Sequence, residues 1–482
     1  MRRYTFVILF FVVLVTPFIL RRAIGTPAAY RAPAPTGDPL KLVIVTPHVE
    51  SIRREFEQAF SAWHQQKYGR PVEIDWRNYG GASAIVKFFE ASRATYDALG
   101  GYGVDLVWGG GDALFEDQLK KAGHLQPVTL APEVMQRAFA VPDLGGLPLY
   151  DRGTPPQWFG TALSSFGIAY NRDVIAHLGL PEPKTWCDLS DPRYRGWIVM
   201  ADPTLSSSAK AAYMTVVERA MADAAQQGRS EDDGWADGMG LLRQIAANAR
   251  LFTDASSALP GQISSGDVAA GMTIDFHSLN QIDVLPTRAD GTKRMAYVEP
   301  VNATAVNPDP IAVARTKGKV SPVALRFIEF VLSEPGQKLW YTPPGQPGGP
   351  RESGLYRLPI QASLYETDPT LRGKANPFKA AEGFNTSPER KRTFRILGEL
   401  IQLSMMDLLD DLRETRRMIL ESPRAGELDA RLGKFPFDQQ EALRREKQWQ
   451  AAAPIERLAL QRKWTNEFRE EYRSLREEAR GD

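Results

Sequence analysis

From Leu40 onward the chain alternates short β-branched runs with helical patterns, and few folds satisfy that alternation. Lys41 to Thr46 reads KLVIVT, too uniformly apolar for a half-exposed strand and suited to a buried parallel one. A helical pattern through Phe56, Phe60 and Trp63 follows, then a strand over 72–76, a Gly80-Gly81-Ala82-Ser83 turn and a second helix. A third strand, 104–108, ends in Gly109-Gly110-Gly111. The alternation resumes after Gly160, with strands expected over 167–170, 197–200, 272–275 and 295–301 and a long helix over 206–227. Such a pattern predicts α/β sheets whose ligand groups lie at the carboxyl ends of the strands.

Single cores stop growing at about 250 to 300 residues, so a chain of 482 residues predicts two lobes and an extension. Residues 4–20 are apolar and uncharged behind Arg2 and Arg3, the layout of an export signal or an uncleaved membrane anchor. Residues 1–25 are read as that segment and 26–39, rich in Pro and Ala, as a flexible linker. The last hundred residues change character. Phe394, Leu397, Ile401, Met405, Leu408 and Leu412 form one apolar stripe, and Leu460, Trp464, Phe468, Tyr472 and Leu475 another, which predicts helices packed on the lobes rather than a coiled coil.

With 59 basic against 58 acidic residues there is no field to attract nucleic acid, and none is expected as a partner. A single cysteine, Cys187, forms no intramolecular disulfide, and no cofactor motif is present. Catalytic signatures are missing too: there is no Gly-x-Ser-x-Gly elbow, His-Glu-x-x-His or phosphate loop, and five histidines leave little acid–base material. An enzyme is not expected.

From Phe166 the chain reads FGIAYNRDVIAHLGLPEPKTWCDLSDPRYRGWIVMADP. Asn171, Gly179-Leu180-Pro181, Pro183 with Trp186, Asp188-Leu189 and Gly196 make it resemble the bacterial periplasmic solute-binding proteins of ABC importers, type II fold. The similar branch includes ferric-iron, phosphonate and sugar-phosphate or phosphoglycerate binders, and Glu334-Pro335-Gly336-Gln337 resembles the turn ending their late helix. The resemblance implies a periplasmic-binding-protein-like clamshell of two α/β lobes joined by hinge strands, with ligand in the cleft. It places the first part of lobe 1 at 40–160, lobe 2 at 161–296, a return to lobe 1 at 297–375 and a helical extension at 376–482. It also implies a periplasmic location, an ABC permease with its ATPase as partner, and contact with the inner membrane through the N-terminal segment. A regulatory variant, reporting a closed state to a membrane kinase, is the alternative, and a divalent metal receptor is another.

A helix start presents unpaired N–H groups and partial positive charge, so several aimed at one cleft hold an anion without any lysine. Ser83, Ser206, Ser207 and Ser256 stand at strand-to-helix turns and Ser165 at the crossover, and these are the expected ligand contacts. His48, just after the first strand, matches the histidine of the ferric branch, but Asp275-Phe276-His277 stands where that branch has its tyrosine pair. Without phenolates the ferric site is lost. His48, Asp275 and His277 are then expected to touch ligand, with a softer divalent metal as the lesser possibility. The expected function is capture of a small anionic solute, phosphorylated or carboxylated.

Overall fold

The computed structural model describes residues 38–371, 376–380 and 389–481. The expected signal or anchor over 1–25 and most of the linker lie outside these residues. Among the described residues no helix is long and apolar enough to cross a membrane.

Lobe 1 begins with β1 (Leu40–Val45), α1 (Glu50–Tyr68), β2 (Val72–Arg77), α2 (Ala82–Ala91) and β3 (Leu106–Trp108). The predicted parallel pairing of buried runs is observed, β1 lying between β2 and β3. Phe56 and Phe60 of α1 pack over this sheet against Trp108 and Phe327. The strand that organises the molecule is β4 (Phe159–Asn171), all of whose residues are buried. Lobe 2 follows with β5 (Ile198–Ala201), α3 (Ser207–Gln226), α4 (Glu231–Ala247), β6 (Ala249–Thr253), β7 (Ala270–Ile274) and α5 (Asp275–Val284). The chain returns through β8 (Met295–Val298) and β9 (Val306–Ala314).

Strand order in the main sheet is β2-β1-β3-β9-β4-β7-β5-β6, so β4 belongs to both lobes. Its first half pairs with β9 as far as Ser165 opposite Val306. Its second half pairs with β7 from Phe166 opposite Ile274. The crossing therefore lies between Ser165 and Phe166, and the return over 299–305. Strand β9 was hidden from pattern reading because it contains Pro308 and Pro310. Neither proline can donate to a ladder, and the register shifts between them, leaving Asp309 in a bulge.

The C-terminal extension is helical, with α6 (Phe394–Ile401), α7 (Leu409–Glu421), α8 (Ala425–Leu432), α9 (Gln439–Ala451) and α10 (Pro454–Arg480). Both apolar stripes are buried except for the partly covered Phe394 and Leu460. The helices pack on lobe 2. Arg243 of α4 is fully buried there, bonding to the carbonyls of Leu432 and Lys434 and to both oxygens of Glu471. Trp235 donates its indole N–H to Thr393. A buried guanidinium saturated by carbonyls and a carboxylate fixes orientation as well as contact.

Candidate functional site

Strand β1 delivers His48 to the carboxyl end of the sheet, where Gly109 of the neighbouring strand leaves room for its ring. A side-chain Cβ at Gly109, whose φ is +88°, would lie 2.7 Å from Nε2. His48 Nε2 is 2.6 Å from Asp309 Oδ2, the carboxylate aimed by the β9 bulge. Arg357 Nη1 donates to the same oxygen at 2.5 Å, and Gly110 N–H donates to Oδ1 at 3.0 Å. The guanidinium also bonds Ser164 Oγ through Nε and Nη2 and stacks 4.7 Å from the centre of Phe276. Tyr356, just before it, has a left-handed φ of 51°, a conformation a bulky residue adopts only where its surroundings impose it. Burial alone would raise the Asp309 carboxyl, but Arg357 and His48 beside it hold it well below the usual carboxylate range. Burial lowers His48, and Arg357 adds to this against the pull of Asp309. The neutral ring then donates from Nε2 to Asp309, which leaves the buried Nδ1 without a partner.

Two helix starts face this cluster from opposite lobes. The first amides of α2 follow Gly81, and those of α3 follow Ser206, whose Oγ accepts from Ala209 N–H as an ordinary cap. First-turn amides have no acceptor in their own helix. The lobes touch at this place, since a Cβ at Gly81 would lie 3.1 Å from the carbonyl oxygen of Leu205. Between them is a cleft of about 510 Å³, within the usual size of a small-molecule site.

His48, Ser83, Ser206, Ser207, Ser256 and His277 all line this cleft, as do Arg357, Asp309 and Glu218, which sequence reasoning missed. Burial takes His277 down to about 4, with Arg357 adding to the effect, so its ring is neutral at pH 7. Four buried atoms on the cleft residues lack any hydrogen-bond partner among the described residues: His48 Nδ1, His277 Nδ1, Asn307 Oδ1 and Glu218 Oε1. Buried polar groups are ordinarily satisfied, so these four atoms make the cleft the candidate site.

Ser165 and Asp275 do not line it. Side chains alternate along a strand, so Ser164 faces Arg357 while Ser165 turns to the other side. There its N–H donates to Asp275 Oδ2 at 2.9 Å and its hydroxyl to Glu299. Burial pushes Asp275 up to about 7 and also raises Glu299. The divalent site considered for His48, Asp275 and His277 is consequently not formed. Asp275 is committed to the hinge and a guanidinium lies against His48, while no three His, Cys, Asp or Glu residues gather to hold a metal among the described residues.

A family model described as "Bacterial extracellular solute-binding protein" matches residues 110–342. Over 178 residues the chain is 28% identical to the "Phosphoglycerate transport regulatory protein PgtC" of Salmonella typhimurium, covering 37% of this chain and 39% of that protein. The match thus spans about two fifths of the relative's length. Among solved structures, the fold is similar to the periplasmic binding protein AfuA of Actinobacillus pleuropneumoniae, solved with fructose-6-phosphate bound (TM-score 0.54, 17% identity, 76% of this chain and 99% of that one). It is similar also to the periplasmic binding protein P5PA (TM-score 0.53, 16% identity, 76% and 99%). One strand shared by two α/β lobes with a cleft between them gives the chain the fold of the type II periplasmic binding proteins, and just under half of it matches the bacterial extracellular solute-binding family.

Proposed function

We propose that the protein captures a small anionic solute, phosphorylated or carboxylated, in the interlobe cleft as the binding component of an ABC-type importer. The observation that carries this reading is the meeting of the α2 and α3 starts, one from each lobe, over Arg357. Their amides are fixed donors with partial positive charge, and an anion held by both lobes favours the closed clamshell, which a permease distinguishes from the open one. Ser83, Ser206, Ser207, Ser256, His48 and His277 are the proposed ligand contacts. The fructose-6-phosphate named for AfuA and the phosphoglycerate named for PgtC support an anion. The protein acts as a receptor, not an enzyme, outside the cytoplasmic membrane, with residues 4–20 directing export or anchoring it there.

The regulatory role in the name of PgtC favours a second reading, in which the closed state signals to a membrane protein instead of delivering solute. Thermal unfolding across a panel of phosphates and carboxylates tests the first step of both, because a ligand bound by the folded state alone raises the midpoint. An upward shift with at least one anion is expected. Shifts with divalent metals and with no anion would overturn it.

A further inference from the structure

The cleft is longer than the anion pole needs. Ser207, Ala211, Met214, Thr215 and Glu218 all line it, a single stripe of α3 at spacings of three and four. Eleven residues at a rise of 1.5 Å each carry that stripe roughly 16 Å from the helix start. At its far end stands Glu218, 1% exposed, with Oε1 unpartnered.

The extension also supplies part of the cleft wall. Lys391 and Phe394 line the cleft, and Lys210 Nζ lies 5.0 Å from the centre of the Phe394 ring. Arg395, one residue on, donates to the carbonyl of Asp117 in lobe 1 at 3.1 Å. Although docked on lobe 2, the extension thus reaches across the cleft edge to the other lobe.

The chemistry of this end narrows what it accepts. Glu218 repels a carboxylate that Lys391 and Lys210 attract, and the lysines repel an ammonium that Glu218 attracts, so an ion gains little net preference here. A neutral group that both donates and accepts meets neither repulsion. We propose, resting on the anion-capture reading, that the C-terminal helices complete the binding site with α3: Glu218 accepts from one ligand hydroxyl and Lys391 donates to another. The cleft then selects an anion with a polyhydroxylated body.

Calorimetric titration of the full chain with inorganic phosphate, n-butyl phosphate and a hexose monophosphate tests this. Wild type should bind the hexose ester about tenfold or more tighter than the butyl ester, the scale of one or two ligand hydrogen bonds. Glu218→Ala and Lys391→Gln should each abolish most of that preference, lowering affinity for the hexose ester far more than for inorganic phosphate or the butyl ester. Glu218→Gln, which keeps the shape and loses the charge, should retain part of it and guards against a folding defect. Equal affinity of wild type for the two esters, or a preference that survives both substitutions, would overturn the second subsite and leave anion capture standing. Failure of all three phosphates to bind would remove the anion reading itself, and this inference with it.

Discussion

The hinge and the cleft bury similar polar groups only a residue apart, and they treat them oppositely. At the hinge, Ser165 donates to both Asp275 and Glu299, and Asp275 Oδ1 takes a further N–H from Phe276. On the cleft side of the same strand, Ser164 joins a wall on which His48, His277, Asn307 and Glu218 each keep a buried atom unpartnered. The bonds of Ser165 hold the crossing strands in place, although the Tyr297 hydroxyl near them is buried without a partner. Unsatisfied burial is a standing cost that a ligand relieves, which is why the two regions answer differently to substitution.

The largest effect should come from Asp309, which joins the cleft wall to the framework. Asp309→Ala leaves the Arg357 charge buried and unpaired, a loss of about 3–5 kcal/mol, read from the shift in the denaturation midpoint. An unchanged midpoint would mean that the pair does not hold the wall.

The hinge carboxylates should give the next effect, and its sign is fixed. Asp275 has a folded-state pKa raised to about 7, so its contribution to stability is fully present below its unfolded value near 4 and is lost as pH rises through 7. Asp275→Asn should flatten the decline between pH 5 and 8 by on the order of 2 kcal/mol. A wild-type stability independent of pH over that window would contradict the hinge assignment.

Gly81 sharpens the contrast because it is free of both burdens. Its φ is ordinary, and what it permits is the approach of Leu205 from the other lobe. Gly81→Val should weaken anion binding about tenfold while lowering the ligand-free stability by no more than the ~1 kcal/mol of a poorer helix cap. Loss of stability with unchanged affinity would show that this contact does not gate closure.

The smallest effect separates the adjacent serines. Ser165→Ala should cost about 1 kcal/mol of stability and spare affinity, whereas Ser164→Ala should also lower affinity a few-fold by loosening Arg357. Identical behaviour of the two would erase the distinction between the faces of β4.

Much of the architecture was legible because β-branched runs such as 41–46 and the stripe from Leu397 to Leu412 have no other stable disposition than burial. The site was legible in part. Serines at helix starts announce themselves locally, and Ser83, Ser206 and Ser207 do line the cleft. Which of Ser164 and Ser165 faces the cleft depends on strand register, and pattern reading chose Ser165, the one that faces away. Asp309 was masked by its flanking prolines, and Arg357 sits in a stretch with no periodicity. Glu218 lies on an expected helix, but its place at the cleft follows from how α3 is rotated against α4 and the extension, which is a tertiary fact.

The central claim, that amides from both lobes grip one anion, is tested most directly by backbone amide NMR during titration with a phosphate monoester. The account predicts that the resonances of Ala82 and Ser83 in lobe 1 and Ser207 and Ser208 in lobe 2 shift together along one binding curve. Shifts confined to a single lobe, or saturating at different concentrations in the two, would contradict it.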